Sequence, residues 1–425
     1  MEMYIVLAVT LFMMVMFIWH KVPFGVTTMT CCLVLAICGI VDIQTAFSGF
    51  GNKIVVLIAP MLALSSVLTR TSLVQKISGI LNTLKGKRGM LLIISFYLVG
   101  AVFAQFIPST AALTILVVFL MTLDNSGEIT ANRLLLPLLG ILVAWKFKFP
   151  IGMGAATFAT LNGLYEGIIT DPQYHLTMMD PFLFALIPIV VLTIYCLAAW
   201  KLMPKGAEIN QSALKEAKKA DLLSSAQEKI VYGVFVLVML LMILNKWTGN
   251  LLYLAPALGV LILIYTGILS VPDAVKGMTA DMTWMLAGVL VVADALGKSG
   301  AGNAIGDLIL QLLGANPSSF MVMLIFSMAT VVMTTFLSNM ATQTVLIPIA
   351  ASVCLAGGWD PRGIVLIIGT ANMFAVGFPS GSGECAVCFA AGGYNPVKVL
   401  KFTFPYMVLA ILSCAAAAHI LYPLY

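Results

Sequence analysis

Long unbroken apolar runs open this chain, at 4–19, 24–41 and 54–68. One clearly polar stretch stands at 201–229, KLMPKGAEINQSALKEAKKADLLSSAQEK, and the runs then return at 230–247, 251–269 and 283–296. None alternates with period two, so the pattern predicts helices rather than strands. Their length suits a bilayer, and in lipid a helix satisfies its backbone polar groups within one segment. Composition turns the pattern into a class. The 425 residues are 61% hydrophobic and 9% charged, with a mean hydropathy of +1.07; a soluble domain carries about 25% charged residues. The expectation is an all-α polytopic protein of the cell (inner) membrane with about ten spans. A net charge of +5 gives no ground for a nucleic-acid partner, because the basic residues gather in a few loops, where they set topology. The start, MEMYIVLAVTLFMMVMFIW, lacks a basic leader and reads as the first span rather than as a cleaved signal.

The second set of runs repeats the first. Trp19 recurs as Trp247, 228 residues on, and the same offset pairs Leu33 with Leu261, Gly39 with Gly267, Ile40 with Ile268, Ala46 with Ala274, Gly49 with Gly277 and Leu68 with Leu296. The loops after the third run of each set differ in charge. The first, 69–90, carries Arg70, Lys76, Lys85, Lys87 and Arg88, whereas its counterpart, 297–319, carries only Lys298. Basic loops stay in the cytoplasm, so the two loops are expected on opposite sides and the halves as inverted copies. The expected division is a first repeat at 1–203, a cytoplasmic linker at 204–229 and a second repeat at 230–425. Inverted repeats are a mark of secondary transporters, which hold substrate near the midplane between the halves. Channels and membrane enzymes also arise by duplication.

Each half continues with an apolar run broken by polar residues: FAQFIPSTAALTILVVFL at 103–120 and MTTFLSNMATQTVLIPIA at 333–350. Their tips, Pro108-Ser109-Thr110 and Ser338-Asn339-Met340, coincide at an offset of 230. Irregular backbone at membrane depth is tolerated where it lines a cavity. There, half-helix N-termini attract anions, while free carbonyls and hydroxyls ligate Na+. Re-entrant hairpins are expected at about 91–122 and about 320–356, and broken spans at about 133–169 and about 362–392.

SNMAT at 338–342, followed by VLIPIA, resembles the Ser-Asn-Thr signature of the divalent anion/sodium symporters, the citrate, dicarboxylate and sulfate transporters of the ion transporter superfamily. The order of elements is similar over nearly the whole chain. The resemblance implies two inverted repeats, each with a re-entrant hairpin and an unwound span, and a homodimer working by an elevator motion. It implies a di- or tricarboxylate carried with Na+ and no further cofactor. It also implies roles for single residues. Substrate contacts fall on Ser109, Thr110, Asn162, Ser338, Asn339 and Ser382; Na+ falls to Thr334, Asn339 and Gly381 in the second half and to Ser109 and Gly154 in the first. This chain departs from the pattern at several places. Pro108 and Ser109 stand for Ser and Asn at the first tip, and Met340 for Thr at the second. Thr160 and Leu161 replace both prolines of the first unwound loop, GMGAATFATLN, while FPSGSGEC in the second has Gly383, Glu384 and Cys385 for Pro-Pro-Asn.

AWKFKFP at 144–150 sets two cations in an apolar run. Counted from Asn132, Lys146 lies roughly 21 Å into a hydrocarbon core of about 30 Å. An ionisable residue at that depth, at a half-helix end whose dipole favours a cation, is a candidate site residue, and Lys146 is assigned to the substrate. Pro150 disfavours helix at the residue before it, so the helix is expected to end near Lys148. Residues two apart point about 200° apart on a helix. Only one lysine then faces a site unless the turn unwinds, and in a span of 133–149 both snorkel to the outer interface instead. Glu166 and Glu384 sit beside the two loops. Each either ligates a cation, carries a proton for coupling or pairs with a lysine.

Catalysis is not expected. His20, His175 and His419 make no ligand pair by spacing, and no HExxH, GxSxG or phosphate loop occurs. Cys385 and Cys388 form a lone CxxC, a weak metal signal. The sequence points to a secondary carrier of a small anion coupled to Na+. The alternatives are a proton-coupled carrier or exchanger of the same superfamily, and a channel or intramembrane enzyme.

Overall fold

The computed structural model describes residues 2–19, 21–68, 70–72, 89–106, 109–120, 128–150, 153–169, 171–204, 223–243, 251–301, 311 and 318–425. Among them there is no strand. The first half contributes α1 (Glu2–Trp19), α2 (Phe24–Ile37), α3 (Ile43–Phe47), α4 (Lys53–Leu68), α5 (Met90–Phe106), α6 (Ser109–Leu120), α7 (Ala131–Trp145), α8 (Met153–Glu166) and α9 (Asp180–Ala199). The second contributes α10 (Ser225–Ile243), α11 (Leu251–Tyr265), α12 (Val271–Met278), α13 (Asp281–Lys298), α14 (Ser319–Phe336), α15 (Asn339–Gly357), α16 (Arg362–Ala371), α17 (Gly383–Gly392) and α18 (Pro396–Leu421). The described helices of the two halves thus follow in one order, element for element. Even the caps recur: Asp42 accepts from the Thr45 amide to start α3, and Ser270, 228 residues on, accepts from the Asp273 amide to start α12. Most of the loops at 69–90 and 297–319, whose charge contrast predicts inversion, and most of the linker lie outside the described residues.

Five of the described helices are long and apolar enough to cross a bilayer: Asp180–Leu202, Val271–Leu296, Ser319–Phe336, Asn339–Gly357 and Pro396–Leu421. Ile43–Gly51 and Val55–Leu64 form a bent pair with an angle of 43°. The other apolar helices are shorter, so the expected ten or so spans are reached only by counting them. The outer surface is apolar: Ile37 is 83% exposed and Tyr265 87%. The interior, by contrast, holds Thr334, Asn372, Lys148 and Glu384. Lipid on the outside and polar groups within is the arrangement a bilayer selects.

Lipid tails are as apolar as leucine, so helix association in this setting rests on close packing by small residues and on hydrogen bonds. The halves interlock on those terms. A Cβ on Gly49 would stand 1.9 Å from the Ala287 carbonyl oxygen, and one on its repeat partner Gly277 would stand 2.9 Å from Ala63 Cα. Each glycine lets the backbone of one half lie against the other. α2 starts at Pro23, which has no side chain able to cap. Its orphan amides are met from the second half: the Asp281 carboxylate accepts from Gly25 N at 2.9 Å and Phe24 N at 3.2 Å. Further along, Thr28 Oγ1 donates to Trp284 O and the Cys32 thiol to Gly288 O. The rising numbers on both sides make α2 and α13 parallel. α7 and α17 instead run antiparallel, since Asn132 meets Gly392 and Tyr394 while Lys146 meets Glu384.

Contacts sort the helices into two groups, each drawing the same parts from both halves. In one, α2 packs on α13, α4 on α11 and α12, and α1 on α2. In the other, α9 packs on α18, α5 and α9 on α7, and α14 and α18 on α16. Tyr195 and Tyr406 knit the second group, donating to Phe402 O at 2.7 Å and Gly140 O at 2.8 Å. The groups meet through α4 and α13 against α8, and through α1 and α13 against α15. The Asp281 cap generates a prediction. Asp281→Ala leaves the start of α2 uncapped and lowers stability by about 1–2 kcal/mol, read as a drop in the melting temperature of detergent-purified protein, while Asp281→Asn keeps most of it.

Candidate functional site

Each half builds a helical hairpin and a broken helix, and the breaks bring the polar groups together. In the second half, α14 and α15 are joined by Leu337 and Ser338. Ser338 caps α15 by accepting from Ala341 N at 3.1 Å. Fully buried Thr334, on the last turn of α14, sets its hydroxyl 2.9 Å from Asn339 Oδ1 and 2.7 Å from the Asn372 carbonyl. Asn372 Nδ2 donates to Asn339 O at 3.2 Å, and Asn372 Oδ1 is buried with no partner among the described residues. Three neutral oxygens, Thr334 Oγ1, Asn339 Oδ1 and Asn372 O, therefore lie within hydrogen-bond reach of one another, a donor set that suits a hard cation. Asn372 was not expected here; its one signal is its place, directly after α16 at the break. Gly381 lies in the turn Pro379–Gly381, which packs on α14. A Cβ there would stand 2.4 Å from Ala375 O, so only glycine permits the approach. Ser382 caps α17, accepting from Cys385 N at 3.2 Å. Among the described residues no cluster of three or more His, Cys, Asp and Glu that could hold a metal forms around Cys385.

The first half is built differently. Ser109 starts α6, 1% exposed, its hydroxyl without a partner among the described residues; the side chain of Thr110 and all of Pro108 and Gly152 lie outside them. At Gly154 a Cβ would stand 1.8 Å from Phe149 O and 2.9 Å from Phe147 O, so the break folds its carbonyls onto this glycine. The expected unwound loop at 152–162 is not seen. From Met153 onward the chain is the regular helix α8, because Thr160 and Leu161 stand where prolines would break it. Asn162 is thus about 12 Å along the helix from Gly154, away from the break, and donates to Glu166 Oε1 at 2.6 Å. Glu166 also accepts Lys53 Nζ at 2.8 Å and has His175 Nδ1 at 4.0 Å. Glu166 and Lys53 line a polar cavity of about 320 Å³ with Asn52 and Asp294, where the two helix groups meet.

The two lysines explain the first break. α7 ends at Trp145, earlier than Pro150 alone predicts, with Lys146 as its C-cap. Phe147 then takes φ +50°, the only left-handed non-glycine among the described residues, a conformation that costs about 1–2 kcal/mol. Its amide is held by Ala104 O of α5 at 3.1 Å. That one residue reverses the geometry in which lysines two apart point away from each other, and both turn inward. Lys146 forms a buried ion pair with Glu384, on the first turn of α17. Lys148, 7% exposed, lies beside the Phe374 ring at 5.6 Å. Lys146→Ala would leave Glu384 buried without its cation, a loss of about 3–5 kcal/mol. Pairing it with Glu384→Gln should restore most of that stability, and a double-mutant melting cycle checks both outcomes.

Comparison with known proteins agrees with this architecture. A profile of the citrate transporter family matches residues 14–369. The sodium-dependent dicarboxylate transporter SdcS of Staphylococcus saprophyticus is 22% identical over 98% of this chain and 86% of its own length. SdcS of Staphylococcus aureus is 22% identical over 91% of this chain and 80% of its own. Among solved structures, the Alcanivorax borkumensis YdaH transporter, described as having an unusual topology, superposes with a TM-score of 0.61 at 12% identity, over 96% of this chain and 98% of that one. With a profile match that spans most of its length, the chain belongs to the citrate transporter family of membrane transporters.

Proposed function

We propose that this transporter is a secondary carrier of a di- or tricarboxylate, coupled to Na+ and moving by an elevator motion. One observation carries the reading: the two breaks hold a little-exposed Lys146–Glu384 ion pair and a buried Lys148, two positive charges against one negative. An anionic solute balances that excess, and in a water-poor site it does so strongly. Lys146 is the residue a substrate carboxylate meets. Glu384 holds it until the substrate arrives, then turns to a cation or a proton. Ser109, Thr110, Ser338 and Ser382 lie at the starts of half-helices, where amides favour an anion, while Thr334, Asn339, Asn372 and Gly381 form the Na+ site. Ser109 and Gly154 would be its first-half counterpart. Neutral oxygens at Thr334 and Asn372 favour Na+ over H+ as the coupling ion.

Inversion of the halves is supported by helix direction. α13 is the copy of α4, and consecutive spans alternate in direction, yet α13 runs parallel to α2. The two helix groups supply the parts of an elevator. α1–α4 with α10–α13 form the frame, and α5–α9 with α14–α18 the moving body. The seam between them includes a largely apolar pocket lined by Met13, Met14, Val289, Val292, Val345 and Pro348, with Thr10 and Thr344. Lys53 and Glu166 bridge the seam and must part as the body moves. A homodimer would anchor the frame.

Two measurements test the reading. Protein in liposomes should show counterflow of labelled citrate or succinate with Na+ on both sides; leakage without counterflow would mean a pore. Asn339→Ala should raise the Na+ concentration for half-maximal uptake about tenfold, which corresponds to one lost ligand worth about 1.4 kcal/mol, with little change in protein melting.

A further inference from the structure

Lys148 has no counter-charge. It is nine-tenths buried, and no carboxylate pairs with it among the described residues. Its pocket is lined by Phe147, Gly154, Gln343, Gly369 and Thr370. The space there is about 20 Å³, enough for one water and far short of what a dicarboxylate needs. Substrate therefore does not seat on this ammonium, although its charge adds to the positive excess at the breaks. The far wall explains why it sits here. Gly369 and Thr370 are the last turn of α16, a ten-residue helix with no basic residue in that turn. A half-helix ending inside a membrane protein presents free carbonyls and the negative end of its dipole, and coupling cations bind at such ends. Gln343 adds an acceptor: its Oε1 is buried without a partner among the described residues. The Phe374 ring face completes the surroundings of the ammonium. The oxygens of Thr334, Asn339 and Asn372 meet at the same helix end, where α16 gives way to the break. One helix terminus thus offers two cation positions, one lined by neutral oxygens and one already filled by a side chain from the opposite half.

We propose that Lys148 is a tethered cation: its ammonium permanently occupies a coupling-ion position at the C-terminal end of α16, so that the carrier recruits one sodium ion fewer than its paired helix ends would otherwise bind. The inference rests on the carrier reading above, because only a carrier has coupling ions to replace. A tethered charge supplies the electrostatics of a bound ion but cannot be released, so it adds affinity for the anion without adding to the driving force.

The test replaces Lys148 with side chains that vacate the position. Lys148→Ser offers a hydroxyl and room; Lys148→Gln keeps most of the volume and offers a carbonyl; Lys148→Arg keeps the charge. Melting of detergent-purified protein is followed in NaCl and in choline chloride. Lys148→Ser or Lys148→Gln should gain a Na+-specific rise in melting temperature, half-complete at a concentration about tenfold lower than wild type needs, or present where wild type shows none. Lys148→Arg should follow wild type. If both neutral variants track wild type in NaCl within twofold, or choline reproduces the rise, the tethered-cation assignment is wrong. Weaker stabilisation by citrate with no Na+ gain would assign Lys148 to the substrate instead and overturn it too. The readout needs no transport, so a failure of counterflow strikes the carrier reading separately.

Discussion

The constraint on which this architecture turns is the cost of ending a helix inside a bilayer. A helix that stops leaves four amides or four carbonyls unmet, and no water is at hand to meet them. Here the ends answer one another across the two halves. Lys146 stands at the C-terminal end of α7, where the dipole favours a cation, and Glu384 on the first turn of α17, where it favours an anion. The same two groups neutralise each other. One ion pair therefore complements two helix ends and ties the first break to the second. Ser338 and Ser382 do the same for α15 and α17 with neutral hydroxyls.

That economy shapes how the site handles charge. A buried pair is held firmly only while both members remain, so under the proposed carrier reading a carboxylate that entered as the Glu384 side chain left would exchange one partner for another at little net change. Glu166 shows the same logic in a wetter place: Lys53, His175 and Asn162 surround it at the seam between helix groups.

Much of this was legible in the residues themselves. Apolar run length, the repeat at an offset of 228–230 and the polar tips at Ser109 and Ser338 are local signals, and helices form locally. The hydroxyl of Thr334 and the amide of Asn339 are five residues apart, close enough to read as one unit. What could not be read lies across the chain. Lys146 and Glu384 are 238 residues apart, so the sequence leaves a lysine partner as one option among three. Asn372 joins Asn339 only because α16 ends beside the hairpin tip. The first unwound loop failed for a reason that was visible: without prolines at Thr160 and Leu161 nothing stops α8, and Asn162 is carried away from the break.

The Asp281 cap bears on how the chain is made. Phe24 and Gly25 receive it from 256–257 residues downstream. At a synthesis rate of about 5–20 residues per second, roughly 10–50 s separate insertion of α2 from the emergence of its cap. Through that interval the N-terminal end of α2 waits at the bilayer edge with its amides in water or headgroups. A truncated first half would carry this open end for good, so synthesis must pass Asp281, early in the second half, before the first can close.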